Sequence, residues 1–196
     1  MGHGKKPEGN VKGTRKGGTF RREFLLFLIL FFILWLFSFL LTRRFPGIEA
    51  SLITAVVHEM SFVLNFFGYT FTLNEPSFLF YTSHGGENLV VITECTALYT
   101  TIIYFSIIGA YPARISEKLI GLLIGIPSIH ILNLARMVFV SLVLYHKREL
   151  FHFFHGYLWQ VSFVIFMLLL VILWMGKIVK QHGAGSEVQQ REKQLT

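Results

Sequence analysis

Phe24 to Leu41 reads FLLFLILFFILWLFSFLL, without one charged residue. A helix needs roughly 20 apolar residues to cross the hydrocarbon core of a bilayer, so this run predicts a membrane span. Its flanks agree. Lys5, Lys6, Lys12, Arg15, Lys16, Arg21 and Arg22 precede it. A cleaved secretory signal would end in a small-x-small exit; this run ends in Thr42-Arg43-Arg44-Phe45-Pro46.

The rest of the chain has the same solvent preference. Of 196 residues, 53% are hydrophobic and 15% are charged, and Phe occurs 21 times. A soluble domain carries roughly 25% charged residues, so most of this chain is expected in lipid. The net charge of +7 would suit a nucleic-acid partner, but its placement excludes that reading. Basic residues gather in the tails and interhelical turns, where charge orients a membrane protein. The length is that of one domain. A single cysteine, Cys95, rules out an internal disulfide and any multi-cysteine metal cluster.

Further spans are expected from Thr96 to Tyr111, Leu119 to Tyr145 and Tyr157 to Met175. Pro127 is expected to kink the second of these. Ile48 to Phe67 is apolar enough to span, yet it holds Glu49, His58, Glu59 and Asn65, which are costly against lipid. A helix at the interface or inside the bundle fits it as well. Between it and Cys95, Gly68–Leu73, Phe78–Tyr81 and Leu89–Thr93 read as short strands. Asn74-Glu75-Pro76 and Ser83-His84-Gly85-Gly86-Glu87-Asn88 read as turns, and His146 to Phe154 as a loop. The expected architecture is an all-α polytopic membrane protein of four to five transmembrane helices with a small extracytoplasmic β-hairpin cap. Residues 1–22 form a basic, disordered cytoplasmic tail, 23–178 a membrane-embedded catalytic domain, and 179–196 a polar, disordered cytoplasmic tail. Four spans put both basic tails in the cytoplasm and put Cys95 and His155 outside. Arg43, Arg44, Lys147 and Arg148 then also fall outside, against the usual bias.

Three polar groups stand where a membrane protein avoids them. Cys95 lies at the start of an apolar run, in Val90-Val91-Ile92-Thr93-Glu94-Cys95-Thr96-Ala97. At a helix N-terminus, the dipole and a nearby cation favour the thiolate, which is the reactive species. A lone buried cysteine is, however, more often a small hydrophobe. Asn133 and Arg136 are three apart and share a helix face. A guanidinium does not give up its proton and must face protein or water. It suits a carboxylate or a developing oxyanion, though near a helix end it also snorkels. His152 and His155 precede the last span; one imidazole suffices as a general base. The two histidines with Glu149, Glu94 or His84 make a weak metal set, so no metal and no cofactor is expected.

Together the groups allow a transpeptidase or protease. The thiolate attacks a peptide carbonyl at the membrane face, Arg136 steadies the negative charge, and a histidine protonates the departing amine. Two other readings use the same residues. In a small transporter or channel, Asn133, Arg136 and His130 would line a path. In a membrane assembly subunit, Arg136 would be a structural charge.

The chain resembles the exosortase and archaeosortase family of multi-pass membrane cysteine enzymes. The resemblance rests on Glu94-Cys95-Thr96-Ala97, Pro112 through Arg114, Asn133-Leu134-Ala135-Arg136, and His155 before the last span. It covers residues 24 to 176. It implies Cys95 as nucleophile, Arg136 as stabilising cation and His155 as third member, with His152 the alternative and Asn133 and Glu94 in support. It implies partners that are exported, membrane-tethered proteins ending in a sorting signal: a short motif, a transmembrane helix and a basic cluster. The new carboxyl end would pass to a lipid amine or surface acceptor. The implied location is a bacterial inner or archaeal plasma membrane, with the active site near the extracytoplasmic face. The family's common Cys-Ser-Gly or Cys-Asn-Gly turn is Cys95-Thr96-Ala97 here.

Overall fold

The computed structural model describes residues 16–82 and 85–179. Its first element is the long helix α1 (Lys16–Arg44), which contains the apolar run. None of its apolar window is buried inside the protein. Ile29, Phe32, Ile33 and Phe37 all point outward, as expected where lipid rather than a protein core takes the hydrophobic surface. α1 begins inside the stretch expected to be a disordered tail, because Lys16 to Arg22 continue the helix. The remainder of both expected tails lies outside the described residues.

Pro46 opens α2 (Pro46–Phe66), where its fixed φ suits the first helical turn. Three strands follow: β1 (Phe71–Asn74), β2 (Ser77–Thr82) and β3 (Gly85–Val90). They form an antiparallel meander in the order β1-β2-β3, so the expected hairpin is a three-stranded sheet. Gly85 to Asn88, read as part of a turn, belong to β3, with Gly86 opposite Tyr81 and Asn88 opposite Leu79. Phe78 and Phe80 of β2 are buried while Tyr81 is exposed, the two-residue period of a half-buried strand.

A 3₁₀ turn (Thr93–Thr96) leads into α3 (Leu98–Ala110). α4 (Ile115–His146) runs on as one helix with Pro127 inside it. The expected loop after it is mostly a short helix, α5 (Arg148–Phe153), followed by a π-helical turn (Phe154–Leu158). α6 (Trp159–Leu173) and a second π-helical turn (Trp174–Val179) complete the described chain. α1 from Arg21, α2 and α4 are each long and apolar enough to cross a membrane, and α3 and α6 are shorter apolar helices.

Two buried clusters organise these elements. In the first, Val56, Val57, Met60 and Leu64 of α2 pack with Phe78, Phe80, Leu89, Val91 and Cys95, and with Met137, Val138 and Leu144 of α4. α2 therefore lies on the sheet and on the C-terminal half of α4. Glu59 Oε2 and His130 Nε2, 2.8 Å apart, tie the two helices. In the second cluster, Ala97, Tyr104 and Ile108 pack with Ile129, Phe163 and Trp174.

The N-terminal half of α4 is tightly fitted. Glu117 Oε2 accepts from the Arg114 amide at 3.1 Å, and Lys118 Nζ donates to the Gly109 carbonyl at 2.6 Å, placing a cation at the C-terminal end of α3. Tyr104 and Trp174 lie against Gly125 and Gly121, so a Cβ at either glycine would collide with a ring. Tyr104 Oη donates to the Gly121 carbonyl at 2.9 Å and Trp174 Nε1 to the Glu117 carbonyl at 2.8 Å. These contacts make α3 and α6 each antiparallel to α4, and hence parallel to one another.

Candidate active site

Cys95 is buried, at 4% exposure. It sits in the 3₁₀ turn rather than at the first turn of α3, which corrects the expected helix N-terminus. The reason lies two residues on. Ala97 has φ of 58° and ψ of 14°, so the helical path breaks there and restarts at Leu98. That left-handed conformation disfavours residues with a Cβ and suits glycine.

Hydrogen bonds hold the turn on several sides. The Cys95 amide donates to the Ile92 carbonyl at 2.8 Å, and Thr96 Oγ1 to the Thr93 carbonyl at 2.7 Å. Asn133 Nδ2, fully buried on α4, donates to the Cys95 carbonyl at 2.6 Å. Thr93 Oγ1 donates to Glu49 Oε2 at 3.3 Å. Glu49 was not singled out as a site residue by sequence reasoning. Its signal was a carboxylate in the first turn of an apolar helix, where the dipole favours negative charge.

Arg136 follows Asn133 by one helical turn and is half-buried. Its guanidinium carbon lies 5.9 Å above the Phe163 ring of α6. Its Nε is buried without a hydrogen-bond partner among the described residues, and no described carboxylate pairs with it. Arg136 lines a cavity of about 450 Å³ with Glu94, Ala97 and Phe163. The structure therefore brings Cys95, Asn133, Arg136 and Glu94 to one place. His130 instead pairs with Glu59.

The side chains of His152 and His155 lie outside the described residues, as does His84. The backbone of His152 is in α5 and that of His155 in the π-helical turn. Phe154 packs on Phe139 of α4, ring centroids 5.4 Å apart, which sets that turn beside α4 one helical turn beyond Arg136. Among the described residues, no three His, Cys, Asp or Glu side chains gather as a metal site would require.

The profile of the transmembrane exosortase family (Exosortase_EpsH) matches residues 12–175. The chain belongs to that family. The match takes in every helix from α1 to α6, and Cys95, Asn133, Arg136 and His155 all fall within it. Archaeosortase A of Haloferax volcanii is 30% identical over 121 residues, 59% of this chain and 39% of that protein. The chain thus spans well under half the length of that curated relative. No solved structure matches the chain.

Proposed function

We propose that this chain is a membrane-embedded cysteine transpeptidase or protease acting on exported proteins that end in a sorting signal of short motif, transmembrane helix and basic cluster. The observation that carries the reading is the pairing on α4. Asn133 grips the Cys95 carbonyl, while Arg136, one turn on, keeps its Nε unpaired among the described residues and lines a cavity with Glu94 and Ala97 of the cysteine turn. A half-buried guanidinium without a carboxylate is costly in a membrane protein and marks a functional site. Family membership supports the same reading.

In this mechanism the Cys95 thiolate attacks the scissile carbonyl and a C–S bond forms. The carbonyl oxygen takes negative charge, which Arg136 stabilises. The C–N bond then breaks, and the departing amine takes a proton from the imidazolium of His155, or of His152 in its place. The resulting thioester is resolved by water or by a lipid or surface amine, whose proton returns to the imidazole, and the thiolate leaves. Glu94 at the cavity rim is suited to meet a basic or amide group of the substrate.

The packing of α2 on the sheet and on the C-terminal half of α4 supports a topology in which α2 stays on the outer face and α1, α3, α4 and α6 cross. Both termini are then cytoplasmic, and the cysteine turn lies near the extracytoplasmic face. Mass spectrometry of a tail-anchored substrate, in membranes holding wild type, Cys95→Ala or Cys95→Ser, tests the reading. Loss of tail cleavage in both variants at equal protein level is expected. Unchanged cleavage in Cys95→Ala sinks it.

A further inference from the structure

The cavity beside Arg136 is not only a reaction chamber. From Arg136 and Glu94 it extends along the walls of α3 and α6, lined by Thr100 and Ile103 on one side and by Val164 and Met167 on the other. Thr100 to Ile103 and Val164 to Met167 each cover about one helical turn, or about 5 Å of rise. The two helices run parallel, so these walls descend together from the site. Both are apolar helices, and Val164 is 55% exposed. The cavity therefore has an apolar flank that the protein leaves uncovered at Val164, besides its polar end at Glu94.

Its polar end and its apolar walls match a particular boundary in a chain. A peptide bond belongs at Arg136, and the first apolar turn that follows it belongs between the two helices. A free soluble peptide would gain nothing from walls exposed to lipid.

We propose that the gap between α3 and α6 is a lateral port, which receives the first helical turn of the substrate's own membrane segment just after the scissile bond. This rests on the reading of Cys95 and Arg136 given above and adds the surface that recognises the substrate. Entry from the membrane plane places the scissile carbonyl at Arg136 without the helix leaving lipid. Such a leaving helix would otherwise expose apolar area to water at about 25 cal/mol per Å².

A photo-reactive amino acid placed at Ile103 or Val164 of the full chain, in a Cys95→Ala background that retains substrate, tests the port in membranes. Leu123 of α4, 73% exposed and outside the cavity, is the control position. Crosslinks from 103 and 164 to the substrate's membrane segment, and none from 123, are expected. Crosslinks from 123 alone, or to the segment before the scissile bond alone, overturn the port. Kinetics give a second arm. Val164→Trp should raise KM about tenfold for the membrane-tethered substrate with kcat nearly kept. A peptide that carries the motif but lacks the helix should lose much less, so the ratio of kcat/KM for the two substrates is the readout. Equal loss on both substrates overturns the port, whereas Cys95-independent cleavage overturns the underlying mechanism instead.

Discussion

The two halves of α4 carry polar groups under opposite rules. In the N-terminal half, Glu117 accepts from the Arg114 amide, Trp174 and Tyr104 donate to backbone carbonyls, and two glycines make room for their rings. In the C-terminal half, Asn133 uses its amide on Cys95, but its Oδ1 is buried without a partner among the described residues, and so is Arg136 Nε. Buried polar groups are normally satisfied, and leaving one unmade costs about 1–3 kcal/mol. The contrast teaches that the first half is built for packing. On the proposed function, the second accepts a local cost to keep polar groups ready for a reacting partner.

The largest expected effect comes from the unsatisfied half. Arg136→Ala should lower the processing rate about a hundred- to a thousandfold, the scale for losing one oxyanion-stabilising group. Arg136→Met, similar in length, should lose activity equally while keeping or raising the thermal midpoint in detergent, since an unpaired charge leaves the interior. A fall in midpoint with activity retained would make Arg136 a structural cation and erase the contrast. Next comes Asn133→Ala, which frees the Cys95 carbonyl. It should slow processing about tenfold or more and destabilise by about 1–2 kcal/mol, read by kcat and by the same melt. A loss of stability with kcat per folded molecule unchanged would move Asn133 to the structural half.

In the satisfied half the expectation reverses. Gly125→Val drives a side chain into the Tyr104 ring and should destabilise by about 1–3 kcal/mol. Processing per folded molecule should stay at the wild-type rate. The smallest effect is expected at the boundary. Ala97→Gly relieves a left-handed φ of 58°, worth about 1–2 kcal/mol, but removes a buried methyl worth about 0.8 kcal/mol. The melt should therefore rise slightly or stay level with activity intact. Ala97→Val should be poorly tolerated, because a β-branched residue resists that conformation.

How much of this was legible from the sequence depended on how local each cause is. Phe24 to Leu41 announced α1 because lipid as a solvent leaves a signal in every residue. Asn133 and Arg136 announced a shared face because helical periodicity fixes it. Gly85 to Asn88 read as a turn, since glycine and asparagine carry no strand propensity. Their strand exists because β2 supplies a partner in register, which makes it a tertiary effect. The 3₁₀ turn at Cys95 was missed for a related reason: alanine gives no sign of a positive φ, where glycine would have. Glu49 was hidden by distance along the chain, its contact with Thr93 arising only when α2 folds onto the cysteine turn. The pairing of His130 with Glu59 was hidden in the same way.

The central claim is that Cys95 becomes acylated during processing. Wild-type protein in membranes, given substrate while amine acceptors are withheld, can be digested and the Cys95 peptide weighed by mass spectrometry. The account predicts a Cys95 peptide heavier by the substrate fragment upstream of the cleavage point. That adduct should be released by hydroxylamine and greatly reduced in Arg136→Ala. Substrate cleaved at the wild-type rate with an unmodified Cys95 peptide, and equally by Cys95→Ala, would contradict it.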